Sequence, residues 1–222
     1  LESAINIDFV EVADTATSYG VVRYMFSNAP SYAYAYYPYS NTDKRSGDVH
    51  LSANFESDSL NRFSGNPGNH GYMSLIHETF HALGLKHPGN YNGSGPGEGP
   101  FLSPAEDSTT NTVMSYNFAG SSALSSMAYD LLALQYLYGA NSNNSASTNY
   151  SFSSVHGYTV GGSFYGSTST SKQSIFDSAG LDTLDFSGLS LSSGYRFDMN
   201  PGGILTTQTA YNGTLYTDQS TG

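Results

Sequence analysis

Residues 77–88 read HETFHALGLKHP, and this stretch determines how the rest of the chain is interpreted. Around its start, apolar residues recur every three and four positions, which predicts a helix with one face packed on a sheet. The positions of that face are Tyr72, Leu75, Ile76, Thr79, Phe80 and Leu83. Gly84 should end the helix, because glycine adopts positive φ without a Cβ penalty.

Three of the six histidines of the chain lie within this stretch. His77 and His81 are four residues apart, so one helical face can direct both imidazoles at one ion. His87 comes three residues after Gly84 and can turn back as a third ligand. Three nitrogen ligands leave zinc open to water or a substrate carbonyl, which is the arrangement of a catalytic site. Glu78 lies one step around the helix, where a general base for that water should stand.

The competing interpretation is that these histidines make only ordinary hydrogen bonds. Chance is a poor explanation for a His-Glu-x-x-His pattern extended by Gly84 and His87 in a chain so low in histidine. The presence of Glu78 also argues against a zinc site without catalysis. The other histidines are isolated in the sequence, so we expect surface or hydrogen-bonding roles for them. They are His50, His70 and His156.

The composition limits the class of partner. No cysteine is present, so disulfides and thiolate metal sites are excluded. A net charge of -11 with only seven Lys and Arg makes nucleic acids and anionic membranes poor partners. No apolar run approaches the length of a membrane span. The many Tyr, Gly and small polar residues are typical of strands and loops in secreted, extracellular proteins.

The organisation of the chain changes near residue 141. Before that point, alternating apolar residues predict four strands, and a second helix runs from a cap at Ser125 or Ser126 to Gly139. The predicted strands lie at residues 5–12, 21–26, 32–37 and 47–55. After the polar connector NSNNSASTNYS, short alternating runs predict an all-β region. We therefore expect one domain at residues 1–140 and a smaller one at 141–222.

A second motif, NTVMSYN, lies at residues 111–117. Together with the extended histidine pattern it resembles the signature of the metzincin zinc peptidases. The likeness is closest to the serralysin group, and it covers residues from about 32 to 188. The stretches that resemble serralysins, in the same order, are AYAYYP, LKHPGNYN, PAED, VMSY, YDLLALQYLYGAN and DSAGLDTLDFSG.

The resemblance implies an α+β fold in which a twisted mixed sheet lies in front of the active-site helix. Met114 would form the apolar floor of a Met-turn beneath the metal. Tyr116 would be a reversible extra zinc ligand and would hydrogen-bond the oxyanion, and Asn117 and Phe118 would line the specificity pocket. An edge strand within residues 47–54 would pair with extended substrate. Read without the resemblance, Met114 and Tyr116 would be packing residues.

Two departures accompany the resemblance. Serralysins begin with a further strand and helix, which this sequence starts after or replaces, so one sheet face is expected to be uncovered. Asp177, Gly180 and Asp182 match calcium-binding positions, yet the partner loop and the glycine-rich calcium nonapeptides are not evident. These acidic residues either bind calcium or are solvated turn residues. Residues 141–222 thus resemble a truncated serralysin C-terminal domain.

The leading hypothesis is a secreted zinc-dependent endopeptidase that hydrolyses proteins or peptides with Glu78 as general base. A proteinaceous inhibitor is a further candidate partner. The alternative is a secreted glycan- or surface-binding protein, in which the alternating tyrosines of residues 32–37 bind sugar and the zinc is structural. A closed structural site would need a fourth protein ligand, which discriminates the two hypotheses.

Overall fold

The computed structural model describes residues 1–15, 21–39, 43–91, 99–142, 145–167, 171–190, 194–200 and 202–207. Its helices are α1 (His70–Ala82) and α2 (Ala128–Tyr138). Its strands are β1 (Arg23–Ser27), β2 (Ala33–Ala35), β3 (Asp48–Ser52), β4 (Asn149–Ser154), β5 (Gly157–Val160), β6 (Ser163–Gly166), β7 (Thr183–Asp185), β8 (Tyr195–Phe197) and β9 (Leu205–Thr207). The chain is therefore mixed α and β, with few helices among the described residues.

The first sheet has the strand order β1, β3, β2. Strand β1 runs parallel to β3, and β2 runs antiparallel to it. Since β3 is the central strand, the expectation that residues 47–54 form the edge strand is wrong. Strand order depends on pairing between distant residues, which alternation within one segment does not encode. The edge that contacts α1 is β2.

Residues 5–12 do not form the predicted strand. Ile5 is fully buried and makes an isolated antiparallel bridge with Ala140. Beyond it, Val10 and Val12 are exposed, and no described strand pairs with this segment. Apolar alternation alone is not sufficient, because a strand needs a neighbour that satisfies its backbone groups.

Helix α1 begins where the side chain of Asn69 accepts a hydrogen bond from the backbone N–H of Tyr72 at 2.7 Å. It ends at Ala82, two residues before Gly84, as the sequence predicts. One side of the helix packs on the first sheet through Ala82 and Leu75. The buried partners there are Val49, Leu51 and Phe63.

A second apolar cluster joins α1, α2 and the segment between them. Its buried members are Ile5, Met73, Phe80, Leu83, Leu85, Val113, Met114, Ala123, Met127 and Leu134. Helix α2 starts after Met127, whose N–H donates to the Asp130 carboxylate at 2.8 Å. The predicted serine cap at Ser125 or Ser126 is therefore wrong. The first-turn N–H of Tyr129 donates to the Asn111 carbonyl at 2.9 Å instead of to a serine side chain.

Every element described after Gly139 is a strand. Strands β6, β5, β4 and β7 form a four-stranded sheet in that order, and β8 pairs with β9. An isolated bridge between Ala123 and Lys172 connects this part of the chain to the segment before α2. The domain boundary near residue 141 stays a prediction. Within the described residues, neither helix is long and apolar enough to cross a membrane.

Candidate metal centre

His77, His81 and His87 come together as a buried cluster. Nε2 of His87 lies 3.1 Å from Nε2 of His77 and 3.0 Å from Nε2 of His81. Ligands about 2.0–2.1 Å from one tetrahedral ion would be roughly 3.3 Å apart, so these separations suit a shared ion. This is the single group of three or more metal-type side chains among the described residues.

The tautomers of two of these rings follow from their outer contacts. Nδ1 of His77 lies 2.8 Å from the carbonyl oxygen of Val113, and Nδ1 of His81 lies 2.7 Å from that of Leu85. A carbonyl only accepts, so each Nδ1 carries the proton and each Nε2 presents a lone pair. Nε2 of His87 can donate to at most one of them. Converging lone pairs of this kind fit a divalent cation, and the outer contacts orient the ligands.

The protonation states also suit metal binding. Burial, reinforced by the neighbouring His81, lowers the pKa of His77 to about 3. Burial likewise lowers the pKa of His81 to about 4. Both rings are therefore neutral near pH 7, as a metal ligand must be.

Gly84 is the residue that turns the chain toward the third histidine. Its φ is +101°, and the N–H of Leu85 returns to the carbonyl of Phe80 at 2.9 Å. A Cβ at Gly84 would meet only ordinary contacts, the nearest with Pro38 at 3.6 Å. Glycine is thus required by the backbone conformation and not by space.

Glu78 lies on the same helix and is buried with the histidines. Burial raises the pKa of its carboxyl to about 7. Its Oε2 has no hydrogen-bond partner among the described residues, which is costly for a buried oxygen. A carboxyl group in this state is suited to exchanging a proton with a ligand at the site.

Tyr116 lies over the histidine cluster. Its ring centroid is 4.5 Å from that of His87 and 5.9 Å from that of His77. Partial burial, together with the charge of Glu78, raises the pKa of its hydroxyl, which therefore stays protonated at neutral pH. The motif NTVMSYN thus brings a phenol to the edge of the cluster.

Known proteins with similar sequences are named as serralysins and metalloproteases. Serralysin from Proteus mirabilis is 36% identical over 200 residues, which cover 82% of this chain and 39% of that protein. Serralysin C from Dickeya chrysanthemi is 37% identical over 186 residues, or 78% of this chain and 36% of the relative. Metalloprotease AprA from Pseudomonas entomophila is 37% identical over 174 residues, which cover 70% of this chain and 34% of that protein.

This chain belongs to the serralysin-like metzincins. It spans less than two fifths of the length of these relatives. No family model matches the chain.

In this serralysin-like chain, Tyr91 and Asp107 support Tyr116, although the sequence alone predicted no role for either residue. The Tyr91 hydroxyl donates to Asp107 Oδ1 at 2.8 Å and accepts from the Tyr116 N–H at 3.2 Å. The Tyr91 ring stacks on that of Tyr116 at 4.8 Å. Asp107 is buried and also accepts from the Ser115 hydroxyl at 2.6 Å. Tyr91 and Asp107 lie in the stretches HPGNYN and PAED, which resemble serralysins. That resemblance was the signal in the sequence that could have identified these two residues.

Met114, Asn117 and Phe118 occupy different environments. Met114 is fully buried in the cluster that joins the helices, and its predicted role beneath the metal stays a prediction. The Asn117 side chain donates to the Asp107 carbonyl at 2.9 Å, so its amide is engaged within the loop. The Phe118 ring is half exposed. The role of Asn117 and Phe118 in a specificity pocket stays a prediction.

The candidate calcium residues lie in a different part of the chain. Asp177 accepts from the Tyr150 hydroxyl at 2.6 Å, and Asp182 accepts from the Thr148 N–H at 2.9 Å. Gly180 has a φ of +129°, and a Cβ there would lie 2.8 Å from the carbonyl oxygen of Ala146. The two carboxylates therefore have protein partners, and calcium binding stays a prediction.

The remaining histidines lie outside the cluster. His50 stacks on Tyr34 with ring centroids 4.5 Å apart. Nδ1 of His70 lies 3.2 Å from the Tyr32 hydroxyl. Nδ1 of His156 donates to the Ser171 carbonyl at 2.9 Å. His70 and His156 therefore have the hydrogen-bonding roles expected of isolated histidines, whereas His50 stacks on a tyrosine ring.

Proposed function

We propose that this chain is the catalytic part of a secreted zinc-dependent endopeptidase. The observation that carries the proposal is the convergence of three imidazole nitrogens beside a buried carboxyl whose Oε2 has no partner among the described residues. The match to serralysins and AprA supports the same activity. The acidic, cysteine-free composition supports export.

His77, His81 and His87 would hold the zinc. When bound, zinc supplies Lewis acidity toward a peptide carbonyl and toward an attacking water. Glu78 takes the proton of that water and later delivers it to the leaving amine. Burial raises the pKa of this carboxyl above that of an exposed glutamate, which favours its acceptance of a proton. The Tyr116 hydroxyl donates a hydrogen bond to the carbonyl oxygen as negative charge develops there.

The substrate would extend the first sheet at β2. The Tyr32 carbonyl accepts a hydrogen bond from the Ser52 N–H. The Tyr36 N–H donates to the Asp48 carbonyl, and the Tyr36 carbonyl accepts from the Gly47 N–H. By strand alternation, the backbone groups of Ala33 and Ala35 point away from β3. An extended peptide can pair with them in any sequence. The Tyr37 ring lies 5.4 Å from that of His81, so this edge leads to the histidine cluster.

The test is Glu78→Gln on the purified 222-residue chain, with metal content measured beside casein cleavage. We expect about one zinc per chain in both forms, with cleavage at least roughly a hundredfold lower in the variant because proton transfer is lost. Chelator should abolish wild-type cleavage. Zinc binding without proteolysis, together with chelator-insensitive glycan binding, would favour the alternative of a binding protein with a structural metal.

A further inference from the structure

Lys172 belongs to the C-terminal part of the chain, yet its side chain reaches the loop that follows Tyr116. Its ammonium donates to the Ala119 carbonyl at 2.6 Å and to the Thr109 hydroxyl at 3.0 Å. The same nitrogen lies 5.9 Å from the centroid of the Phe118 ring. The Lys172 carbonyl accepts from Leu124 N–H at 2.8 Å, so the backbone at this residue is fixed as well.

The ammonium is held in an environment that disfavours charge. Burial lowers the pKa of Lys172 to about 7. No described carboxylate lies within ion-pair distance of it. Removing an ammonium from water without a counter-ion is unfavourable, so its contacts with the loop must compensate.

The hydrogen bonds of Lys172 complete the anchoring of a short loop, residues 116–119. Its first half is held by Asn117, whose carbonyl accepts from Thr109 N–H at 3.0 Å. Its end is held where Ala119 N–H donates to the Thr109 hydroxyl at 2.8 Å. Lys172 binds both the Ala119 carbonyl and that hydroxyl. Phe118, between the two anchors, is half exposed on a fixed backbone.

We propose that Lys172 is a positioning residue for substrate selectivity, which acts by holding Phe118 as a rigid wall beside the site. This inference rests on the proposed peptidase function. Through Lys172, the C-terminal part of the chain would influence substrate choice without touching the substrate. Lys172 is not a catalytic residue, because its ammonium contacts the loop and not the histidine cluster.

The experiment compares Lys172→Met, Phe118→Ala and the double variant in the full chain. Methionine keeps the length of the side chain but removes its donors. Lys44→Met, at an exposed lysine, is the matched control. The readouts are zinc content, amide hydrogen exchange of residues 116–119, and KM and kcat for two sets of peptides, which differ in the residue before or after the cut bond.

In Lys172→Met we expect full zinc content and roughly tenfold faster exchange at Ala119, because an anchor of the loop is lost. Discrimination between a large and a small residue in one of the two peptide sets should fall roughly tenfold, mainly through KM. Phe118→Ala should show the same loss of discrimination. The double variant should add nothing further, since Lys172 acts through Phe118.

Unchanged exchange or unchanged discrimination in Lys172→Met would overturn the proposal, as would additive effects in the double variant. If Lys172→Met fails to fold, Phe118→Ala decides alone, and an unaltered preference there overturns the proposal. A wild-type chain with zinc but no peptidase activity would instead refute the proposed function. The exchange measurement would still decide whether Lys172 holds the loop.

Discussion

The Asp130 carboxylate accepts a hydrogen bond from the backbone N–H of Val113 at 3.0 Å. The carbonyl of the same Val113 accepts the Nδ1 proton of His77 at 2.8 Å. One backbone residue therefore connects helix α2 to a ligand of the candidate metal centre. Asp130 also accepts from Thr112 Oγ1 at 2.5 Å and from Met127 N–H at 2.8 Å, and it is fully buried.

Replacing Asp130 should show how much this connection stabilises the fold. Asp130→Ala leaves the buried N–H groups of Val113 and Met127 without an acceptor, so we expect a loss of roughly 2–5 kcal/mol in the free energy of unfolding. Asp130→Asn should lose less than half of that. Its amide oxygen can accept both N–H groups while its NH2 faces the Thr112 hydroxyl. Urea unfolding at pH 7 measures both, and equal losses would contradict this account.

The pH dependence of the unfolding free energy, compared between the wild type and Asp130→Asn, provides a second prediction. Burial raises the pKa of Asp130 from 3.8 to about 6, because it opposes the charged form. A raised folded pKa contributes stability that is fully present below pH 3.8 and is lost as pH rises through 6. The unfolding free energy of the wild type should thus fall relative to Asp130→Asn between about pH 4 and 6, by up to roughly 3 kcal/mol. Both proteins are measured with chelator, and a constant difference would refute the prediction.

Gly84→Ala should weaken metal binding by straining the turn before His87. The residue has a φ of +101°, where an added Cβ costs roughly 1–2 kcal/mol. Relief of that strain would move the third ligand, so we expect zinc affinity to fall at least roughly tenfold. Gly162→Ala is the matched control, with a φ of +85° and nothing within 4 Å of an added Cβ.

Thermal unfolding and competition with a chromophoric zinc chelator test this prediction. Both glycine variants should lose similar stability, but only Gly84→Ala should lose affinity. Equal zinc affinity in the two variants would show that His87 does not depend on the turn.

Tyr91→Phe should impair catalysis more than metal binding. The variant keeps the ring that stacks on Tyr116 but loses the hydroxyl that joins it to Asp107. We expect kcat to fall roughly tenfold with KM and zinc content unchanged, because Tyr116 would act in the transition state. Tyr24→Phe is the control, since that exposed hydroxyl contacts only Thr79 among the described partners. A reduced zinc content in Tyr91→Phe would indicate a structural role instead.

The sequence predicted the parts of the site that depend on local spacing. Helix α1, the turn at Gly84 and the meeting of the three histidines follow from a 3.6-residue period and one glycine. The contacts of Tyr91 with Asp107 and of Lys172 with Ala119 join residues 16 and 53 apart, which no periodicity encodes. The central position of β3 was missed for the same reason, because sheet order is set by pairing at a distance.

Metal removal should destabilise the folded chain only when the histidine cluster is complete. A ligand that binds only the folded state stabilises it by about 2.7 kcal/mol at a free concentration one hundred times Kd. For a chain of this length that corresponds to a rise in Tm of roughly 5–10 °C. We therefore expect chelator to lower the Tm of the wild type by this amount and to leave His81→Ala unchanged. His156→Ala should keep the full response, since its ring bonds Ser171 away from the cluster. Differential scanning fluorimetry with and without chelator measures all three, and an equal response in His81→Ala would exclude that histidine as a ligand.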